Sequence, residues 1–269
     1  MVVRSVFSAC YAILLFAFAA CQSKSEVKNQ ITSDTVTEAS IAVEENVKPD
    51  SLLFYCQQFD SLNTNIRDNK IDKINAEQQV AELLFKIKHN FRNSTDKLSS
   101  EVYFPLSGYT AKAIGGENGN GYKPNGYSFF DGNKHKGHPA HDIFIYDKDQ
   151  NTLDDVTGNE VSVLSVHAGV VVALSKEWQP DSNLRGGNYI WVYDPVKNLL
   201  IYYAHNKSVL VSVGEIVKAG EAIATVGRTG LNAYKKRSPT HLHIMALHVT
   251  PDFKLTPTDL YPFLVKGKF

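Results

Sequence analysis

Cysteine is scarce in this chain: Cys10, Cys21 and Cys56 are the only three. Cys10 lies inside an apolar leader and Cys21 closes it, so the remainder keeps Cys56 alone and has no internal disulfide to draw on. An excess of charge of either sign is missing too. Lys and Arg total 28 and Asp and Glu total 28, so no global field favours nucleic acid or a charged membrane surface. Apolar residues make up 43% of the chain, an ordinary share that lets hydrophobic burial alone supply the core. A length of 269 residues suits one principal domain with an accessory segment.

The composition changes abruptly along the chain. Arg4 gives a positive start, Ala12 to Ala20 form an apolar run too short to span a bilayer, and Ala19-Ala20 precede Cys21. Residues 1–21 therefore read as an export signal whose end resembles a bacterial lipobox, with Cys21 lipidated. That implies a membrane-anchored lipoprotein of the cell envelope, at the periplasmic face of the outer membrane. Residues 22–50 are polar throughout and read as a disordered tether. Residues 51–96 show helical periodicity, in Leu52, Tyr55, Phe59, Leu62 and Ile66 and again in Val80, Leu83, Leu84, Ile87 and Phe91. A polar break at Asp68-Asn69-Lys70 predicts a helical hairpin, with Cys56 buried beside its apolar stripe.

From residue 97 to 269 the pattern is β. Short β-branched and aromatic runs at 143–146, 161–174, 189–193, 199–204, 221–226 and 243–249 are separated by turn residues. The expected fold is mainly β: a compact antiparallel sandwich or flattened barrel preceded by the helical segment. The long stretch from Gly108 to Lys136 carries Tyr109, Tyr122, Tyr127, Phe129 and Phe130. These rings either line a groove for a peptide stem or close the edge of the barrel.

Two short segments carry the candidate chemistry. His138-Pro-Ala-His-Asp142 and His241-Leu-His243 lie about a hundred residues apart, and on strands their members converge on one face. His138, Asp142 and His243 would give two imidazoles and a carboxylate, with an open fourth position where zinc activates water. Between the segments come Tyr202-Tyr203-Ala204-His205, the glycine-punctuated run Val213 to Ile223, and Val226-Gly227-Arg228-Thr229-Gly230. In an extended segment His141 points away from Asp142, and His89, His135, His167 and His248 are taken as structural or exposed.

With these elements in this order, the chain resembles the LytM/lysostaphin-type zinc metalloendopeptidases over roughly residues 103 to 250. The resemblance implies that His138, Asp142 and His243 bind one Zn2+ per chain and that His205 and His241 form a non-ligand catalytic pair. It implies hydrolysis of cross-links or stem peptides in bacterial peptidoglycan. Relatives that lost metal ligands bind peptidoglycan or activate other hydrolases, and that is the alternative function. Three positions depart from the family pattern: Ala140 stands for Gly, Asn206 for Leu, and Leu231 to Thr240 is longer than usual. The segment from Val213 to Gly227 also resembles the hairpin of biotinyl and lipoyl carrier domains, but neither of the two methionines flanks Lys218.

The anchor reading has a direct test. Cys21→Ser is expected to move the protein from the membrane to the soluble fraction on cell fractionation, and undiminished membrane retention would refute lipid attachment at Cys21.

Overall fold

The computed structural model describes residues 51–91 and 101–268. The signal, Cys21 and tether readings fall outside those residues, as does the junction at 92–100. The two expected helices are present as α1 (Ser51–Arg67) and α2 (Lys73–Phe91). On α1 the buried residues Leu52, Cys56, Phe59, Leu62 and Ile66 follow three- and four-residue steps, and Ala76, Val80, Leu84, Ile87 and Phe91 do so on α2. The polar break forms the turn, with Asn69 at a φ of 55° and its amide donating to the Ile66 carbonyl. Asp72 then caps α2 by accepting from the Asn75 amide at 3.0 Å.

The β region forms one nine-stranded sheet. Its strands are β1 (Ala140–Phe144), β2 (Ser162–Leu164), β3 (Gly169–Ser175), β4 (Asn188–Asp194), β5 (Leu199–Val209), β6 (Ile216–Val217), β7 (Ala222–Val226), β8 (His241–Val249) and β9 (Leu255–Thr258), followed by the short helix α3 (Tyr261–Leu264). The main path runs β1-β8-β5-β4-β3-β6, and β9 joins β8 beside β1. All of these pairings are antiparallel. The sheet is not closed, so the core is an open sheet and not a barrel.

The sheet folds over itself through β5. Residues 199–204 of β5 pair with β8, whereas residues 206–209 pair with β7, which in turn pairs with β2. Side chains of β2 and β7 then share one core with one face of the main sheet: Val163, Ile223 and Val226 lie with Ile190, Ile201 and Ile244. The opposite face is covered by the helices, whose Phe59, Leu84 and Ile87 share a core with Val172, Trp191 and Leu247. With a layer on each side, every residue of β4 is buried.

Several boundaries differ from the expectation. The run at 161–174 is two strands, because Ser165 to Ala168 turn the chain between β2 and β3. The strand expected at 199–204 continues to 209, since β5 finds a second partner after its bulge. β6, β9 and α3 are too short to impose a readable period, and the run-based reading contains none of them.

Phe59 is fully buried between α1 and the sheet. Phe59→Ala is expected to lower unfolding free energy by about 3–5 kcal/mol, read by urea denaturation. A parent-like midpoint and slope would mean that the hairpin is not packed on the sheet as described.

Candidate metal centre

Alternation along three neighbouring strands decides which side chains meet. His241, His243, Met245 and Leu247 occupy one face of β8, Ala140 and Asp142 the same face of β1, and Tyr202 and Ala204 that face of β5. Register aligns Asp142 with His243, and His243 with Ala204, across β1-β8-β5. This is the face the helices cover, and the site lies where their cover ends. His138 precedes β1 and is fixed by reciprocal backbone hydrogen bonds with Lys123, both at 2.7 Å.

His138, Asp142 and His243 form a group whose candidate ligand atoms all lie within 4.8 Å of one another. Asp142 Oδ1 is 3.4 Å from His138 Nε2 and 3.0 Å from His243 Nδ1. His138 Nδ1 donates to the Gly121 carbonyl at 3.0 Å, which turns Nε2 toward the group. Burial acts to raise the Asp142 pKa, but hydrogen bonds from His138 and His243 outweigh it and hold the carboxyl well below the usual carboxylate range. The same hydrogen bond to Asp142 raises His138 above the ordinary histidine value.

His205 and His241 stand beside this group, their ring centroids 4.9 Å apart. Each ring is oriented by a backbone carbonyl: His205 Nδ1 donates to Thr229 at 2.8 Å, and His241 Nδ1 to Pro239 at 2.7 Å. With the proton held on Nδ1, both rings keep a bare Nε2. His241 Nε2 is 3.8 Å from Asp142 Oδ1. Burial pushes His205 well below the ordinary histidine value, and the neighbouring His241 and His243 push it further. His241 is lowered as well, chiefly by burial and against the pull of Asp142. Both imidazoles are therefore neutral near pH 7.

His205 carries a left-handed φ of 67°, a strained conformation for a residue other than glycine. It sits where β5 leaves β8 for β7. Asn206 anchors this bulge: it is fully buried, and its Nδ2 donates to the carbonyls of Asn188 and Tyr203 at 3.1 and 3.0 Å. The departure from Leu at this position thus replaces apolar packing with hydrogen bonds. Thr229 completes the frame, its hydroxyl donating to the Asn206 carbonyl and accepting from the Asn188 amide, both at 2.8 Å. Gly230 follows at a φ of 113°, and a Cβ there would lie 2.4 Å from the Arg185 carbonyl and 2.9 Å from His205 Nδ1. Only glycine fits.

The five residues singled out in the sequence line one cleft of about 300 Å³. His141 does point away, its Nε2 lying 2.8 Å from Asp259, and His167 is buried against Asp194 at 3.2 Å. His135 differs from the expectation, because it lines the cleft. Burial takes its pKa down to about 4. The aromatic stretch divides: Tyr127 and Phe129 line the cleft, whereas Tyr109 bonds Asp154 and Tyr122 stacks on His141. Asn63, Ile66 and Arg67 of α1 form part of the wall as well. No local motif marks them, since they read as an ordinary helix end. The longer connection supplies Asn232, Ala233 and Ser238 to another part of the wall, held by Arg228, which donates to the carbonyls of Ser238 and Lys235 at 2.7 and 3.0 Å.

Residues 150–252 match the family model for peptidase family M23. Over that span the chain is similar to an M23 domain. The matched segment includes His205, His241 and His243, while His138 and Asp142 lie ahead of it. No curated protein matches the chain. Among solved structures it is similar to the catalytic domain of the antimicrobial peptidase lysostaphin from Staphylococcus simulans, at 26% identity over 54% of this chain and 86% of that one, with a TM-score of 0.35. It is also similar to a putative glycyl-glycine endopeptidase lytM from Ruminococcus gnavus, at 20% identity over 82% and 91% of the two chains, with a TM-score of 0.40. A zinc-containing peptidase from Vibrio cholerae matches at 21% identity over 58% of this chain and 39% of that one, with a TM-score of 0.37. At these TM-scores no chemistry is carried from them to this chain.

The Thr229 hydroxyl ties β4 to the β5 bulge. Thr229→Val is expected to cost about 1–3 kcal/mol by leaving buried polar groups without a partner, with Thr229→Ser retaining most of the stability. Equal urea midpoints for the Val variant and the parent would contradict this role.

Proposed function

We propose that this chain is a zinc-dependent endopeptidase that hydrolyses peptide cross-links or stem peptides of bacterial peptidoglycan. The observation that carries the reading is the convergence of two imidazoles and one carboxylate beside two further imidazoles whose free nitrogens are bare. The donor set suits zinc. Ligands at about 2.0–2.2 Å in a tetrahedron lie roughly 3.3–3.6 Å apart, and Asp142 Oδ1 already stands 3.4 and 3.0 Å from its two imidazole partners. His138, Asp142 and His243 would hold it.

Bound there, zinc would supply an acidic water and polarise a carbonyl oxygen. The chain's own groups do the rest. A peptide laid along the cleft brings its scissile amide past His205 and His241. Being neutral, one of the two accepts the proton of the attacking water at its Nε2 and passes it toward the departing amine. The other, its Nε2 equally bare, accepts a hydrogen bond from the N–H of the departing amine and holds it in place. Because both rings are fixed through Nδ1 by backbone carbonyls, neither has to reorient before the reaction. The lipid anchor at Cys21 extends the same proposal by holding the enzyme at the cell envelope.

Purified protein is expected to hold one zinc per chain by elemental analysis and to release soluble muropeptides from sacculi, seen by mass spectrometry, until a chelator is added. His205→Ala and His241→Ala should keep the metal while losing roughly 10²–10⁴-fold in turnover, whereas His243→Ala should lose metal and activity together. Parent-like turnover in both alanine variants would refute the catalytic pair. Sacculus binding without any release would favour a binding module or an activator.

A further inference from the structure

The part of the cleft that faces α1 is built from chemistry that the hydrolytic reading does not use. Asp142 is the one carboxylate lining the cleft among the described residues, and it belongs to the metal group. Two arginines line the same cleft. Arg67 ends α1 with its Nε and Nη2 on the Asp68 carboxylate at 2.8 and 3.2 Å, and its Nη1 on the Tyr189 hydroxyl at 3.3 Å. Its charge is largely spent on Asp68.

Arg185 is different. Its side chain is exposed, and its Nη1 donates to the His135 carbonyl at 2.9 Å. No carboxylate among the described residues pairs with it. A carbonyl oxygen occupies one of the five N–H donors that a guanidinium carries, which leaves a fork for a planar anion.

The backbone beneath Arg185 is fixed to the catalytic frame. The His205 amide donates to the Gly186 carbonyl at 2.9 Å, the Leu231 amide to the Leu184 carbonyl at 3.0 Å, and the Arg185 carbonyl meets the glycine-only contact at Gly230. Arg185 therefore starts from a rigid backbone one step from His205. A Cβ at Gly186 would lie 1.9 Å from the Tyr202 hydroxyl, so that hydroxyl meets the backbone next to Arg185, and the Tyr202 ring lies 5.3 Å by centroids from Tyr189, which Arg67 reaches. The Tyr202 ring in turn stands edge-on to His243, with centroids 6.2 Å apart. One surface thus runs from the metal group through Tyr202 to the two cations.

We propose that Arg185, with Arg67 behind it, forms a carboxylate-recognition subsite, so that the cleft selects peptides bearing a free carboxylate beside the scissile amide. This rests on the endopeptidase reading and names its substrate class. The carboxylate can belong to a side chain or to a chain end, and either presents the same planar anion to the guanidinium.

Two peptide pairs separate these sources and test the subsite. In one pair a side-chain carboxylate is exchanged for a carboxamide, and in the other the terminal carboxylate is. Binding is measured by calorimetry on the full chain carrying His241→Ala, so that bound peptide stays intact, and kcat/KM on the parent. The carboxylate form of at least one pair is expected to bind roughly ten- to a hundredfold more tightly than its carboxamide, the strength of a hydrogen bond to a charged partner. Arg185→Gln should collapse that ratio, mainly through KM, and Arg185→Lys should recover part of it. Equal binding within both pairs overturns the proposal, and so does a preference that survives Arg185→Gln, which would assign it to the metal group. Preferential binding without hydrolysis keeps the subsite and defeats the endopeptidase reading. Hydrolysis without preference does the reverse.

Discussion

The antiparallel register of β8 between β1 and β5 is the constraint on which everything else depends. It sets Asp142 opposite His243 and His243 opposite Ala204, so residues about a hundred positions apart become lateral neighbours. A slip of one residue would turn His241 and His243 to the other face and Met245 and Leu247 with them. That slip is forbidden because both faces are buried: Leu242, Ile244 and Ala246 fill one core, and Met245, Leu247 and Val249 the other. The hydrophobic pattern of β8 therefore positions the site, and polar and apolar residues on this strand serve a single geometry.

The helices matter for a related reason. They cover the face of the sheet that carries the candidate site and stop short of it, so the end of α1 becomes a wall. Covering that face hides the aromatic band of Tyr189, Trp191 and Tyr193, each no more than 4% exposed. The same packing carries Asn63 and Arg67 to Tyr189. A scaffold element and a cleft wall are here one object.

Much of this was legible in the sequence, and the legible part has a common character. The period of Leu52 to Ile66 and of Val80 to Phe91 gave the helices because burial on one face enforces it. The alternation around Asp142 and His243 placed them on a shared face for the same reason. The share of the Gly-x-Thr-Gly run was visible as a motif, but its work was not, since Thr229 acts through three hydrogen bonds to residues far along the chain. His135 was taken as structural or exposed, and Arg185 and Arg67 escaped notice, because they reach the cleft from a loop, a turn and a helix end, none of which has a period. The fold-over of β5 was equally hidden. It hangs on the left-handed backbone of His205, and histidine has no strong preference that would announce it.

Gly132 has a wider consequence. A Cβ at this position would lie 2.4 Å from the Ile66 carbonyl and 2.7 Å from the Arg67 carbonyl, so the turn at Phe129–Lys134 meets the end of α1 backbone to backbone. This joint fuses a segment preceding the metal centre to helices that lie well outside the family-matched span. The structural unit of this cleft is therefore larger than the segment that the family model matches. Grafting the matched span onto another framework would transfer three of the five histidine and aspartate positions together with Arg185, but would leave behind His138, Asp142, Arg67 and the His135 carbonyl that Arg185 meets, so a chimaera would carry the matched segment without the complete binding surface.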